Sequence, residues 1–498
     1  RNALLEGYPA SALSISDDYL SVNIFMKKTK KHIHILAICG YSTSGLAVMA
    51  KKLGYKVTGS DEGAYPPATA VLDKAGIKWA DRHAAGNLKR WGQPDLVIQG
   101  NQIRSGNVEL LAARKLSLPV ISDSEFFYEL AKGRNRIAVC GSHGKTTVSA
   151  LIAWILEVDG RKPGFRLGSQ TLNFKTAVRL GDGPEFVFEG DEYTTNFNDS
   201  RPKFFHFHPQ LAVINNIEWD HPDVFHSPAE YRENYRKYLV GQMPENGILI
   251  INAEDKNILE VVSEFSGRIF SFGLTNGEVQ CKSYQLKNGR TEISVVVWSS
   301  KLQVSANTEF IVETALPGEH NIRNCLAAIT AALALGVKPD VIQSAIKSFK
   351  GTSRRFEITG RTKGVVVIDD YAHHPTKAKA TISAARQLYP AAGIYAVYVP
   401  HTYSRTKALL KDYGGAFLGA NTVIITNIEP ARERKLKALI HALDLVNEIK
   451  KNQDAVFYLS TPSKILIFLQ KNVKPGDIVL CMSVSGFDDL AKNLVSCL

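Results

Sequence analysis

The chain has 498 residues, 45% hydrophobic and 22% charged, an ordinary globular balance that excludes a mainly disordered or collagen-like protein. At ~150 residues per domain the length implies about three domains, and no apolar run approaches the ~18 residues of a membrane helix. The net charge of +12 comes from dispersed Lys and Arg without a long basic run, which points to nucleotides or phosphorylated metabolites as partners and away from nucleic acid.

Residues 1–25 form an extension to which no role is assigned. Met26–Lys31 has the basic start of a signal peptide, but an alternating strand follows with no small-residue cleavage site, so no signal is expected. From His32 onward short β-branched runs alternate with helical segments. Strands are expected at His32–Cys39, Lys56–Gly59 and Asp95–Ile98, and helices at Ser44–Leu53, Pro67–Ala75 and Ser105–Leu116. Such β-α-β order is the signature of a parallel sheet with helices on both faces. Gly133-Arg134-Asn135 reads as a linker. A second module opens with the strand Arg136–Cys140 and the helix Lys145–Leu156. It continues through strands at Phe186–Phe188, Leu211–Ile214 and Gly247–Ile251 and a β-rich stretch over 266–315, and closes with the helix Asn321–Leu335. A third module starts near Gly351, with strands at Val365–Ile368, Tyr395–Val399, Thr422–Ile425 and Asp477–Cys481. The expected division is 26–133, 134–351 and 352–498. The six cysteines, Cys39, Cys140, Cys281, Cys325, Cys481 and Cys497, lie far apart with no CxxC pair. They read as free thiols of a reducing, cytoplasmic compartment.

Gly141-Ser142-His143-Gly144-Lys145-Thr146-Thr147 stands between an expected strand and helix. Glycines let the backbone wrap phosphates, the helix N-terminus supplies amide donors, Lys145 places a charge on the β/γ-phosphates, and Thr146 is positioned to hold Mg²⁺. The loop is a compressed P-loop, because Val139 stands where the first glycine is usual. Gly40 lies in the first β-α turn, with Asp61 21 residues later, a spacing suited to a Rossmann-like site whose acid accepts ribose hydroxyls. Glu189-Gly190-Asp191-Glu192 and Trp219-Asp220-His221 end two hydrophobic strands, where ligands gather in parallel sheets. Beside a P-loop they suit a divalent cation next to the γ-phosphate of ATP. His206 and His208 are expected to alternate across a strand and not to bind metal.

GSHGKTT, EGDEY, NNIEWDH, LPGEHNIRN, RRFE and DDYAHHPT follow one another in this order, and together they resemble the Mur ligase family of ATP-dependent amide-forming enzymes of peptidoglycan synthesis. The resemblance runs from about His32 to the C-terminus. It implies a Rossmann-like domain for a UDP-sugar, a central P-loop ATPase-type domain and a Rossmann-like C-terminal domain for the amine. It further implies an acyl phosphate made from ATP and the carboxylate of UDP-N-acetylmuramate, then displaced by the amine. By the same resemblance Lys145, Glu189 and His221 are catalytic, with Thr146, Glu189 and His221 on Mg²⁺. Asn321, Asn324, Arg355 and Asp370 join the P-loop residues on ATP. Gly40, Ser60, Asp61 and Asn101 take the UDP-sugar, and Tyr371, His373, His401 and Arg405 take the amine substrate. Several members carry a carbamylated lysine four residues after a tyrosine; counted from Tyr231, that position is Tyr235, which puts a second metal site in doubt.

His373-His374-Pro375-Thr376 and His401-Thr402-Tyr403-Ser404-Arg405 place the chain in the branch acting directly on UDP-N-acetylmuramate. Tyr65-Pro66-Pro67, Gly100-Asn101 and EGDEY lean toward the recycling ligase, whose amine is the tripeptide L-alanyl-γ-D-glutamyl-meso-diaminopimelate. The 400–406 segment is closer to the L-alanine-adding pattern, although Thr402 stands where that pattern has Arg. The tripeptide is taken as the main reading and L-alanine as the alternative, with no nucleic acid or membrane partner and a monomer or weak dimer as the expected state. An oxidoreductase would leave the P-loop unexplained, and a non-catalytic nucleotide-binding regulator would not need intact Lys145, Glu189 and His221.

Overall fold

The computed structural model describes residues 31–63, 68–431, 433–485, 487 and 489–498. The extension 1–25, the basic residues 26–30 and Tyr65-Pro66-Pro67 lie outside the described residues. The chain forms two compact units, one running through Phe126 with Asn196–Asn198, the other holding Phe127–Thr195 and Asp199–Leu498. No helix among the described residues is long and apolar enough to cross a membrane, and all six cysteines are free thiols.

The first unit is built on a five-stranded sheet of order β3-β2-β1-β4-β5, with β1 (His32–Leu36), β2 (Lys56–Ser60), β3 (Lys78–Ala80), β4 (Leu96–Gln99) and β5 (Val120–Ser122) all parallel. Its main helices are α1 (Tyr41–Lys52), α2 (Ala68–Lys74) and α3 (Val108–Lys115). Helix α3 starts three residues later than the expected Ser105 because Asn107 caps it, its side chain accepting from the N–H groups of Glu109 and Leu110. Arg114 and Lys115 close its last turn, where the helix dipole favours cations.

The second unit carries a ten-stranded sheet of order β17-β16-β15-β14-β13-β12-β6-β9-β7-β8. Its strands are β6 (Asn135–Cys140), β7 (Gly164–Arg166), β8 (Val178–Arg179), β9 (Glu185–Glu189), β12 (Leu211–Ile214), β13 (Ile248–Asn252), β14 (Arg268–Gly273), β15 (Val279–Lys287), β16 (Arg290–Val297) and β17 (Thr308–Thr314); β10 (Thr194–Asn196) and β11 (Asp199–Pro202) form a separate hairpin. From β7 across to β15 the neighbours are parallel, and β8, β16 and β17 add antiparallel edges. Helices α4 (Lys145–Val158), α5 (Pro228–Tyr238) and α6 (Glu319–Ala334) belong to this part. Leu151, Ile152 and Ile155 of α4 pack with Leu326 and Ile329 of α6 over the strands. The expected linker residue Asn135 is already paired, opposite Glu185.

A six-stranded sheet of order β18-β19-β23-β20-β21-β22 completes the unit, with β18 (Glu357–Thr362), β19 (Val365–Asp370), β20 (Ile394–Tyr398), β21 (Thr422–Ile425), β22 (Val456–Tyr458) and β23 (Ile478–Met482). In β19, Val366 and Ile368 join one core and Val365 and Val367 the opposite one. This period-two split is what a strand buried on both faces requires. Helices α7 (Pro375–Leu388) and α8 (Tyr403–Ala408) follow β19 and β20. One expectation is corrected. His206 and His208 do not alternate along a strand: Lys203–Phe207 is a 3₁₀ turn, and His208 ends it with φ of +41°. The buried His206 ring instead meets Asp199 Oδ2 at 3.0 Å.

Candidate active site

Glycine lets β6 turn directly into α4. Gly144 has φ of +82°, and a Cβ there would stand 2.3 Å from Asn215 Nδ2 and 2.4 Å from Asn324 Oδ1, so a larger residue is excluded by both backbone and space. The loop is braced from the end of β12: the His143 N–H donates to Asn216 Oδ1 at 2.7 Å, and the Ser142 N–H to Asn216 O. Ser142 Oγ donates to the Glu218 carbonyl at 2.6 Å and lies 3.0 Å from Tyr231 Oη. It supports the loop from behind. The loop's amides and the N-terminus of α4 form an anion cradle.

Lys145 Nζ donates to Gly141 O and to Glu192 Oε2, both at 2.7 Å, and Glu192 Oε1 lies 3.4 Å from His221 Nε2. Burial works against the ammonium, but Glu192, Asp191 and Glu189 together hold its pKa above the ordinary lysine range. Glu189, at the end of β9, accepts from Thr146 Oγ1 at 2.9 Å and from the Gly168 N–H at 2.6 Å. A Cβ at position 168 would press on this carboxylate at 2.4 Å. Burial, helped by the charge of Asp191, pushes the Glu189 carboxyl up despite Lys145 and Arg166. Of the two expected acid/imidazole ligands, Glu189 therefore contacts Thr146, while His221 faces Glu192, an acid of the same expected cation cluster that was not named as a ligand by itself. Tyr235, at the position of the family's carbamylated lysine, is fully buried with its hydroxyl 3.4 Å from that of Tyr231.

The turn before β18 and the ends of β19 and β20 bring the remaining residues to the same place. Arg355 Nη2 lies 3.5 Å from Thr146 Oγ1, and its guanidinium covers the Tyr371 ring at 4.8 Å. Asp370 accepts the N–H groups of Phe356 and Ala372, both at 2.7 Å. Tyr371, His373 and His401 stack edge to face in sequence, and Arg405 Nη1 reaches His401 Nδ1 at 3.0 Å. Arg405 is committed within the chain: its Nε pairs with Asp220 Oδ1 at 2.8 Å, with both side chains at most 3% exposed. That geometry makes it a strut behind His221, and departs from the open side chain expected of a residue that takes the amine substrate. Burial opposes the Asp220 carboxylate, but Arg405 overrides it and holds the pKa far below the usual range.

A cavity of about 280 Å³ opens between these parts. Eight of the eleven residues expected around ATP line it: His143, Gly144, Thr146, Thr147, Asn321, Asn324, Arg355 and Asp370. Asn215 Nδ2 donates to Asn324 Oδ1, and Asn324 Nδ2 to Asn321 Oδ1, so α6 is fixed to the loop by amides. Gly141, Ser142 and Lys145 are not among the lining residues. Glu218, Asn252 and Lys377 line it without having been expected. Glu218 takes His143 Nε2 on Oε2 and Thr376 Oγ1 on Oε1, both at 2.6 Å. His374 is close enough to complete a group of three ligand-type side chains within 4.8 Å, but both carboxylate oxygens are already engaged. Burial brings the Lys377 ammonium down to about 8, against the pull of Asp220.

The first unit has its own cavity of about 630 Å³, lined by Asp61, Glu62, His83 and residues 102–108. Asp61 Oδ2 accepts the Cys39 N–H at 2.7 Å, and burial raises its carboxyl. Three expected ligands sit elsewhere. Ser60 is fully buried and donates to Glu109 Oε2 at 2.6 Å, so it faces the interior. Gly40 and Asn101 are not among the lining residues.

Comparison with known proteins fits this geometry. The chain matches the Mur ligase family catalytic domain over residues 32–135, the Mur ligase middle domain over 139–332 and the Mur ligase glutamate ligase domain over 354–484. A Clostridium acetobutylicum protein named UDP-N-acetylmuramate–L-alanine ligase is 35% identical over 467 residues, covering 94% of this chain and 98% of its own. Among solved structures, the UDP-N-acetylmuramate–alanine ligase of Thermotoga maritima has the same fold, with a TM-score of 0.75 at 22% identity and coverage of 94% and 98%. The UDP-N-acetylmuramate:L-alanyl-γ-D-glutamyl-meso-diaminopimelate ligase of Neisseria meningitidis is 32% identical, with a TM-score of 0.60, over 66% of this chain and 100% of that one. With a cavity lined by P-loop residues and amides of a later helix, with Glu189 and Glu192 paired to the loop's Thr146 and Lys145, and with family matches across nearly the whole described length, the chain belongs to the Mur ligase family of ATP-dependent, amide-bond-forming ligases.

Proposed function

We propose that the protein joins the carboxylate of UDP-N-acetylmuramate to the amine of L-alanine, with ATP converted to ADP and phosphate. The observation that carries this reading is the unbroken line from the P-loop to the C-terminal sheet, Lys145–Glu192–His221 beside Asp220–Arg405. It sets a cation for a transferring phosphoryl group and an imidazole next to the segment that would receive an amine. In the proposed reaction a carboxylate oxygen of the sugar nucleotide attacks the γ-phosphorus and the bond to ADP breaks. The amine nitrogen then adds to the acyl carbon, the C–O bond to phosphate breaks, and the nitrogen loses a proton. The amides at the N-terminus of α4 hold the phosphates, Asn321 and Asn324 orient the nucleotide, and Lys145 moves from Glu192 to neutralise the transferring group. Asp61 in the first-unit cavity holds the UDP part.

Thr146, Glu189 and His221 suit Mg²⁺. Thr146 Oγ1 and Glu189 Oε1 are adjacent oxygens, the carboxylate is buried at the end of β9, and hard divalent cations take oxygen ligands of this kind. When bound, the ion screens the β- and γ-phosphate oxygens. His221→Ala is expected to raise the Mg²⁺ concentration for half-maximal turnover by about tenfold, as loss of one ligand or its support does. An unchanged metal titration would remove His221 from the set.

L-alanine is favoured by the name of the Clostridium acetobutylicum relative, which spans almost the whole chain; this weighs toward what the sequence held as its alternative. A second reading keeps the tripeptide, because Thr402 occupies the position where the alanine-adding pattern has Arg. Thr402 is 4% exposed, has φ of +62°, and its Oγ1 has no partner among the described residues. ADP release with UDP-N-acetylmuramate, ATP and Mg²⁺ is the deciding assay. Stimulation by L-alanine supports the proposal, stimulation by the tripeptide alone supports the second reading, and stimulation by neither refutes both.

A further inference from the structure

In the first unit a continuous hydrogen-bonded line runs from the start of β1 to the cavity. Thr58 Oγ1 lies 2.8 Å from both His32 Nε2 and His34 Nδ1. His34 Nε2 is 2.8 Å from Glu109 Oε1. On the other carboxylate oxygen, Ser60 Oγ donates to Glu109 Oε2 at 2.6 Å. His83 Nδ1 is 2.8 Å from Ser60 Oγ and 3.3 Å from Glu109 Oε2. His34 and Glu109 are fully buried, whereas His83 reaches the cavity wall beside Asp61.

Proton counting gives this line a direction. A carboxylate only accepts, so His34 Nε2 and Ser60 Oγ each donate to Glu109. The single Ser60 proton is thereby used, and its oxygen accepts from His83 Nδ1, which must carry hydrogen. A neutral His83 then has a bare Nε2. On the other branch, a neutral His34 accepts the Thr58 proton at Nδ1, and Thr58 accepts from His32 Nε2. Burial works to raise the Glu109 carboxyl, and the hydrogen bonds from His34, His83 and Ser60 outweigh it, holding it down at about 2. An interior position of this kind could be closed by apolar packing without a buried charge. What the charged line supplies instead is one tautomer and one ring plane for His83.

Resting on the reading that this cavity takes the UDP-sugar, we infer that Glu109 is a positioning residue, which with Ser60 holds His83 so that Nε2 accepts a hydrogen bond from an N–H or O–H group of the uridine diphosphate moiety. Calorimetric titration of the full chain with UDP tests this, with thermal melting of each variant alongside. Glu109→Gln forces an amide N–H into a site built for an acceptor, and Ser60→Ala breaks the relay more gently should the first variant fail to fold. Each is expected to weaken UDP binding about tenfold, as is His83→Ala, and Ser60→Ala combined with His83→Ala is expected to be no weaker than His83→Ala alone. Wild-type affinity in the folded Glu109 and Ser60 variants, or losses that add to that of His83→Ala, overturns the positioning role while leaving the cavity assignment standing. A wild-type protein that does not bind UDP overturns the cavity assignment and the inference with it.

Discussion

Lys145→Ala should lower the rate of ADP formation at saturating substrates by at least about 10²–10³-fold, the size of effect seen when a preorganised charge-stabilising donor is removed from a reacting centre. In the proposed reaction Lys145 is the P-loop cation that meets the transferring phosphate, and its three acidic neighbours keep it protonated. The substitution has a second consequence. Glu192 is 3% exposed and, among the described residues, would keep His221 as its ion-pair partner, so its carboxyl should rise and take up a proton. Lys145→Ala therefore needs a melting curve beside the assay, since rate loss with the fold retained is the expected pair of results. Near-normal turnover would remove the loop from the mechanism.

Arg405→Ala should destabilise the second unit by about 3–5 kcal/mol, because it strands one member of a buried ion pair. Both side chains are at most 3% exposed, and Asp220 Oδ1 lies 2.8 Å from the guanidinium. The pH dependence separates this account from simple loss of packing. In the parent chain Asp220 has a depressed pKa, so its stabilising share is complete above the ordinary carboxylate range and disappears as pH falls through and below it. In the variant the buried carboxyl is raised instead, so folding should favour its protonated form. The deficit measured by denaturant unfolding should then be smaller near pH 4 than near pH 8. A deficit independent of pH would assign the loss to volume alone. Arg405→Lys should recover only part of the stability, since an ammonium lacks the fork that reaches Asp220 and His401 together.

The P-loop was legible because a buried strand, a glycine-rich turn and a helix are consecutive in the chain, and local pattern suffices for them. Leu211–Ile214 and Thr422–Ile425 were legible to the residue, each a short apolar run bounded by turn formers. Asn321, Asn324, Arg355 and Asp370 could be brought to the ATP region only through the family resemblance, since their approach to the loop depends on packing across 170 residues or more. Three kinds of information were hidden. The strand Val120–Ser122 is three residues long, too short to show a period. Glu109 reads as an acid in the first turn of a helix, where the dipole welcomes one, and its pairing with His34 spans 75 positions. In the 203–208 segment the alternation of Phe and His imitates a strand, while the chain tightens into a 3₁₀ turn.

Glu218 has a consequence for how two ligands influence each other's affinity. One oxygen holds His143 of the P-loop and the other holds Thr376 at the start of α7, so a single carboxylate clasps the nucleotide loop to the helix that follows Tyr371 and His373. A ligand that reorganises His143 changes the free energy of that clasp, and so does a ligand that shifts α7. Linkage is reciprocal: whatever factor nucleotide contributes to amine affinity, the amine returns to nucleotide affinity. With nucleotide and amine bound as proposed, the two ligands would be thermodynamically coupled through one side chain, and replacing Glu218 should bring their binding closer to independence.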